Sequence, residues 1–139
     1  MDQFAAYGLA ILSVAICALM IQVLNALTGI RKSESGLAPG GSHASDFSDA
    51  SYRLDRTYMN SVETLTIFAA LVFAAIIAGA SPFWVNLLAS FGLLLRIGQN
   101  YVFVQGIGKP YNGFRTRLAT LSAMANAGLF ILTLVAVFT

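Results

Sequence analysis

Apolar residues run almost unbroken through four stretches of the 139-residue chain, 4–30, 62–80, 83–104 and 118–138. Each is close to the roughly 20 residues that a helix needs to cross a hydrocarbon core, which predicts four transmembrane helices. Extended to their polar approaches, these helices span about 4–30, 53–80, 83–104 and 115–138, joined by a long loop at 31–52. The polar residues within them are patterned. The approach Arg53-Leu-Asp-Arg56-Thr-Tyr-Met-Asn60-Ser-Val-Glu63 carries polar side chains at steps of three and four. At about 100° per residue, Arg53, Arg56, Asn60 and Glu63 fall within an arc of roughly 80°. On the third helix Arg96, Gln99, Asn100 and Phe103 follow the i, i+3, i+4, i+7 pattern and share a face, with Tyr101 about 140° away from Arg96. The first helix adds Gln22 and Asn25; the fourth adds Ser122 and Asn126, with Arg115 and Arg117 at its mouth.

Composition agrees with a membrane protein: 58% of residues are hydrophobic and only 10% charged, against roughly 25% charged in soluble domains. The first apolar run is too long for the core of a signal peptide and lacks a basic flank, so it reads as a retained helix. The eight basic residues, Arg31, Lys32, Arg53, Arg56, Arg96, Lys109, Arg115 and Arg117, all lie in or beside the first and third connections. The positive-inside rule then puts both of those connections in the cytoplasm and both termini on the opposite side. Orientation accounts for the net charge of +2 without a nucleic acid. The whole chain, 1–139, reads as a single all-α four-helix transmembrane bundle, an integral, multi-pass membrane protein in contact with lipid. Ser81-Pro82 suits a tight stop and restart between the second and third helices.

The polar groups gather at the cytoplasmic half, where buried polar groups need partners, and predict a water-accessible pocket opening on that side. Charges at a membrane boundary are costly unless paired, solvated or used, so the Arg53–Glu63 stripe is a candidate functional site. Simpler roles stand beside that reading. Arg53 and Arg56 would also serve as interfacial anchors, and Glu63 as a structural partner of Arg56 or Arg96. Ser122 and Asn126 read as interhelical hydrogen-bonding glue. Arg117 reads as an anchor, His43 as a solvated loop residue, and Cys17, the single cysteine, as a small packing residue. Tyr7 and Trp84 suit the aromatic belt of the far interface. Neither a nucleotide-binding loop, a nucleophile elbow nor a metal motif occurs in the sequence.

The pattern Arg53-x-x-Arg56-x-x-x-Asn60-x-x-Glu63 opening the second of four short transmembrane helices, together with Gly113-Phe114-Arg115 at the start of the fourth, resembles the MAPEG family (membrane-associated proteins in eicosanoid and glutathione metabolism), most closely its microsomal glutathione transferases. The resemblance covers essentially the whole chain. It implies a homotrimer with active sites between neighbouring subunits at the cytoplasmic side, and glutathione as co-substrate. Carried over residue by residue, it implies that Arg56, Asn60 and Glu63 bind glutathione, with Arg53, Gln99 and Tyr101 as further candidates nearby. The cation that stabilises the thiolate is open among Arg115, Arg31 and Arg96. The implied activity is transfer of the thiol to a lipophilic electrophile, or reduction of a lipid hydroperoxide. Two positions depart from the family pattern. Phe103 stands where family enzymes often have a glutathione-contacting Tyr, and Arg31 and Lys32 sit slightly beyond the end expected for the first helix.

Two rival readings belong to other classes. A non-catalytic membrane scaffold of the same fold would bind a lipid or another protein; Phe103 favours it, whereas Arg56, Asn60 and Glu63 favour thiol binding. A small proton-coupled transporter would need a lone carboxylate deep in the bilayer and away from arginines, and Glu63 is neither.

Overall fold

A computed structural model describes residues 2–109 and 111–139. Its four long helices are α1 (Gly8–Glu34), α2 (Ala50–Ile77), α3 (Pro82–Val104) and α4 (Phe114–Phe138), preceded by a helical turn at Asp2–Ala5. All four are long and apolar enough to cross a membrane. α2 and α3 form a central pair: α1 packs against both from one side and α4 against both from the other. The loop 35–49 and the α3–α4 connection lie at one end of the bundle, here the loop end. Both termini and the Gly79–Ser81 turn lie at the other, the turn end.

The helices stop by a shared device. At the ends of α1, α2 and α3 a glycine with positive φ follows the last turn: Gly36, Gly79 and Gly106. In each case the next residue's N–H reaches back five residues, from Leu37 to the Lys32 carbonyl, Ala80 to Ala75 and Ile107 to Val102. These are Schellman closures, which satisfy carbonyls that would otherwise be stranded at a helix end. Gly106 has a second reason to lack a side chain, since a Cβ there would lie 3.0 Å from the Arg53 guanidinium. After the Gly79 closure, Pro82 opens α3 within its first turn, where a missing N–H costs nothing.

Helix limits differ from the hydropathy reading at both ends of α1 and both ends of α2, and two of these shifts have a clear local cause. α1 continues to Glu34, so Arg31 and Lys32 belong to its last turn rather than lying beyond it. Hydropathy marks where a helix leaves lipid, but the Gly36 closure sets where it ends. α2 begins at Ala50 because the Asp49 carboxylate accepts a hydrogen bond from the Ser51 N–H at 2.9 Å, a side-chain cap on the first turn.

The apolar core occupies the turn end and is built from small residues. Ala10, Val72, Ala75, Val85, Ala89 and Leu129 are all fully enclosed. Small residues let helix backbones approach closely, the main source of packing energy between helices in lipid. Gly92 shows the tightness, since a Cβ there would come within 3.1 Å of the Phe68 ring. Tyr7 belongs to this core instead of the interfacial belt: it is buried, and its hydroxyl donates to the Ala80 carbonyl. Trp84 is half exposed. Asn86 of α3 stitches the start of α1, accepting from the Ala10 N–H at 2.9 Å and donating to the Ala6 carbonyl at 2.7 Å. Cys17 is buried in the core.

The 35–49 loop is folded against the bundle. Ser48 donates from its hydroxyl and its N–H to Asp46 Oδ1 at 2.7 and 2.9 Å, which holds the Asp46 carboxyl below the usual carboxylate range.

Candidate functional site

At the loop end the inner faces of α2, α3 and α4 meet around a small polar cleft. Arg56, Thr57 and Asn60 line it from α2, Gln99, Asn100 and Phe103 from α3, and Arg115 from α4. The face predicted for α3 is the face that packs inward: Gln99, Asn100 and Phe103 are all buried. α2 is oriented so that Thr57 and Ser61 are enclosed, Asn60 is half-buried and Arg56 is exposed at the rim. The stripe therefore runs along the edge of the packed face, where side chains reach a cleft and solvent together. Arg56 makes no ion pair among the described residues. Arg115 lies over the Phe103 ring, 4.4 Å from its centroid. Beneath the cleft, Asn100 Nδ2 donates to Ser61 Oγ at 3.0 Å and joins α3 to α2.

The other sequence candidates fall elsewhere. Arg53 is withdrawn from the cleft. Its guanidinium donates to the Phe47 and Ser48 carbonyls at 2.8 Å each and to the Val104 carbonyl at 3.1 Å, tying the loop to the end of α3. Glu63 is exposed on the flank of α2 and makes no ion pair with Arg56 or Arg96 among the described residues. Tyr101 is 61% exposed and points away from the bundle. Arg31 is exposed, 3.7 Å from Glu34, a surface pair worth little. Arg96 lies deeper, beside a small cavity that Cys17, Met20, Thr64, Phe68 and Ser122 also line. It touches the cleft only indirectly, donating to Gln99 Oε1 at 2.8 Å. Of the three cations considered for thiolate stabilisation, Arg115 alone lines the α2–α3–α4 cleft of a single chain. Ser122 and Asn126 do not join the helices as expected: Asn126 Oδ1 is buried with no hydrogen-bond partner among the described residues.

A second polar cluster was not foreseen. Lys32 of α1 pairs with Asp55 of α2 at 2.9 Å, and both side chains are mostly enclosed. His43 is not solvated. Its side chain is 9% exposed, with Nδ1 4.0 Å from Asp55 Oδ2 and Nε2 3.2 Å from Ser35 Oγ. Lys32, His43, Asp55 and Arg56 line a wide groove under the loop, of about 1590 Å³ counted to its mouth. One signal for this cluster was present in the sequence. Asp55 stands two residues after Arg53, about 160° around the helix from it and outside the arc of the stripe, and so faces a different neighbour. Thr57, also unforeseen in the cleft, faces inward one residue after Arg56.

The MAPEG family's sequence pattern matches residues 9–135, nearly the whole chain. The chain belongs to the MAPEG family. With four helices able to cross the bilayer, it is a multi-pass integral membrane protein. The family includes glutathione transferases and peroxidases. No curated protein matches the chain closely enough to stand as a relative.

Proposed function

We propose that this MAPEG protein is a glutathione-dependent membrane transferase or peroxidase acting on lipophilic electrophiles or lipid hydroperoxides. The observation that carries the reading is the cleft itself, which joins two guanidiniums, three amides and a hydroxyl with no carboxylate among its lining residues. Glutathione presents two carboxylates, an ammonium and a thiol. Arg56 is free to clamp a carboxylate through two parallel N–H donors, and Asn60, Gln99 and Asn100 offer both donors and acceptors along the peptide. Arg115 is placed to favour an ionised sulfur, as a cation near a thiol lowers its pKa. Glutathione supplies the nucleophilic thiol. In transfer, sulfur bonds to an electrophilic carbon as the leaving group departs with its electron pair. In reduction, two thiols become a disulfide while a hydroperoxide becomes an alcohol and water.

The outward-facing polar groups support assembly into the homotrimer that the family resemblance implies. An unpaired Glu63 facing lipid is costly, whereas a neighbouring copy packed against that flank would bring it, with Tyr101 and Arg31, to an intersubunit cleft. There Glu63 would meet the glutathione ammonium. The concentration of basic residues at the loop end favours its placement in the cytoplasm, with both termini opposite.

One observation favours a second reading, a non-catalytic scaffold binding lipid or protein: the ring of Phe103 offers no hydroxyl to the cleft. The transporter reading loses ground because Glu63 lines none of the three cavities described. The test is to incubate the purified protein with reduced glutathione and a lipophilic electrophile, or a lipid hydroperoxide, and follow thiol consumption. Saturable consumption above the uncatalysed rate is expected. Consumption at the uncatalysed rate with both substrate classes would favour the scaffold.

A further inference from the structure

Phe103 stands in a column of four side chains drawn from α2, the 35–49 loop, α3 and α4. Arg115, in the first turn of α4, lies 4.4 Å from the centroid of the Phe103 ring. Phe47 of the loop packs against that ring, with centroids 5.6 Å apart and planes tilted by 51°. Phe47 is fixed in turn by Arg53, which binds the Phe47 and Ser48 carbonyls, anchors to Val104 of α3, and lies 5.9 Å from the Phe47 ring centroid. Phe103 is buried between the loop and the cleft.

Arg115 needs such a seat. The first turn of a helix is the positive end of its dipole, an unfavourable place for a cation. An arginine side chain also loses much rotamer freedom when held in one pose. The face of an aromatic ring offsets both, because its negative quadrupole attracts a guanidinium, more strongly as water is excluded.

We propose that Phe103 is a positioning residue, its ring face seating the Arg115 guanidinium so that the cleft favours the ionised form of a bound thiol, and that Phe47 braces this seat. The proposal rests on the glutathione reading and names what replaces a hydroxyl at position 103. The proton leaves the thiol for bulk water. The charged groups lining the cleft are Arg56 from α2 and Arg115 from α4, while α3 presents neutral Gln99, Asn100 and Phe103, with Arg96 behind Gln99. The 35–49 loop thereby becomes part of the thiol-activating apparatus, although Phe47 is not among the residues lining the cleft.

The test reads thiol ionisation directly, from the ultraviolet absorbance of bound thiolate when reduced glutathione is mixed with the purified full-length protein across a pH series. In Phe103→Leu, the thiolate fraction at a fixed pH below the midpoint is expected to fall about three- to tenfold, with the midpoint displaced to higher pH. Phe103→Tyr, which keeps the ring, is expected to restore the wild-type midpoint or lower it. Phe47→Ala is expected to move the midpoint in the same direction as Phe103→Leu, by less. An unchanged midpoint in a folded Phe103→Leu protein would overturn the proposal. If that variant does not fold, an unchanged midpoint in Phe47→Ala does so. Failure of wild-type protein to bind glutathione would defeat the parent reading; binding with ionisation indifferent to Phe103 and Phe47 defeats only this one.

Discussion

At the turn end of the bundle, polar groups are spent on holding helices together: Tyr7 on the Ala80 carbonyl, Asn86 on Ala6 and Ala10, around an alanine-rich core. At the loop end, Arg56, Asn60 and Arg115 surround a cleft, and Arg56 has no acidic partner among the described residues. The same four helices thus carry a closed half and an open half. The difference teaches where to look for function in a small membrane protein. A guanidinium left without a carboxylate at a bilayer boundary is the place to test for a ligand, whereas a hydroxyl donating to a buried carbonyl serves assembly.

The loop end also has polar groups spent on assembly, the Arg53 ties, the Asn100–Ser61 link and the Lys32–Asp55 pair, and breaking the last should produce the largest effect. Asp55→Ala leaves the enclosed Lys32 ammonium without its partner at 2.9 Å. A loss of about 3 kcal/mol is expected, the lower end for a broken buried pair because Lys32 keeps some solvent. Reversible unfolding in detergent measures it, and limited proteolysis should show cleavage moving into 35–49. Next in size is Arg56→Ala, expected to weaken glutathione binding by about 1.5–3 kcal/mol, the worth of hydrogen bonds to a charged group. Because Arg56 is exposed and unpaired, the same variant should unfold at the wild-type denaturant midpoint. An unchanged dissociation constant would remove Arg56 from the site.

Tyr7→Phe reverses that pattern. Removing the donor to the Ala80 carbonyl should cost about 1 kcal/mol of stability while leaving glutathione affinity as it was. A change in affinity would mean that the two halves are coupled. Asn100→Ala, which cuts the α2–α3 link beneath the cleft, should cost the least, about 0.6 kcal/mol, the average for an interhelical hydrogen bond in a membrane. Its readout is thermal unfolding of the purified protein.

Much of this division was legible in the chain. Apolar runs of about 20 residues gave the helices, and steps of three and four gave the inward face of α3, where Gln99, Asn100 and Phe103 are buried. Periodicity identifies a face, but it does not identify what covers it. Arg53 and Arg56 lie on one stripe, yet the loop folds back to claim Arg53 and leaves Arg56 open. Tyr101 was correctly read as off the inner face, and it stays outside the cleft of a single chain. His43 could not be placed from sequence because its neighbours Asp55 and Ser35 are brought to it by the course of a long loop. Arg31 and Lys32 follow the apolar run yet lie within α1, because the Gly36 closure carries the helix past the point where polarity begins.

The central claim is that the open half is a glutathione site. Calorimetric titration of reduced glutathione into the detergent-purified protein tests it most directly. The account predicts saturable binding that is weakened in Arg56→Ala and retained in Tyr7→Phe. Absence of binding by wild-type protein shown to be folded would contradict it.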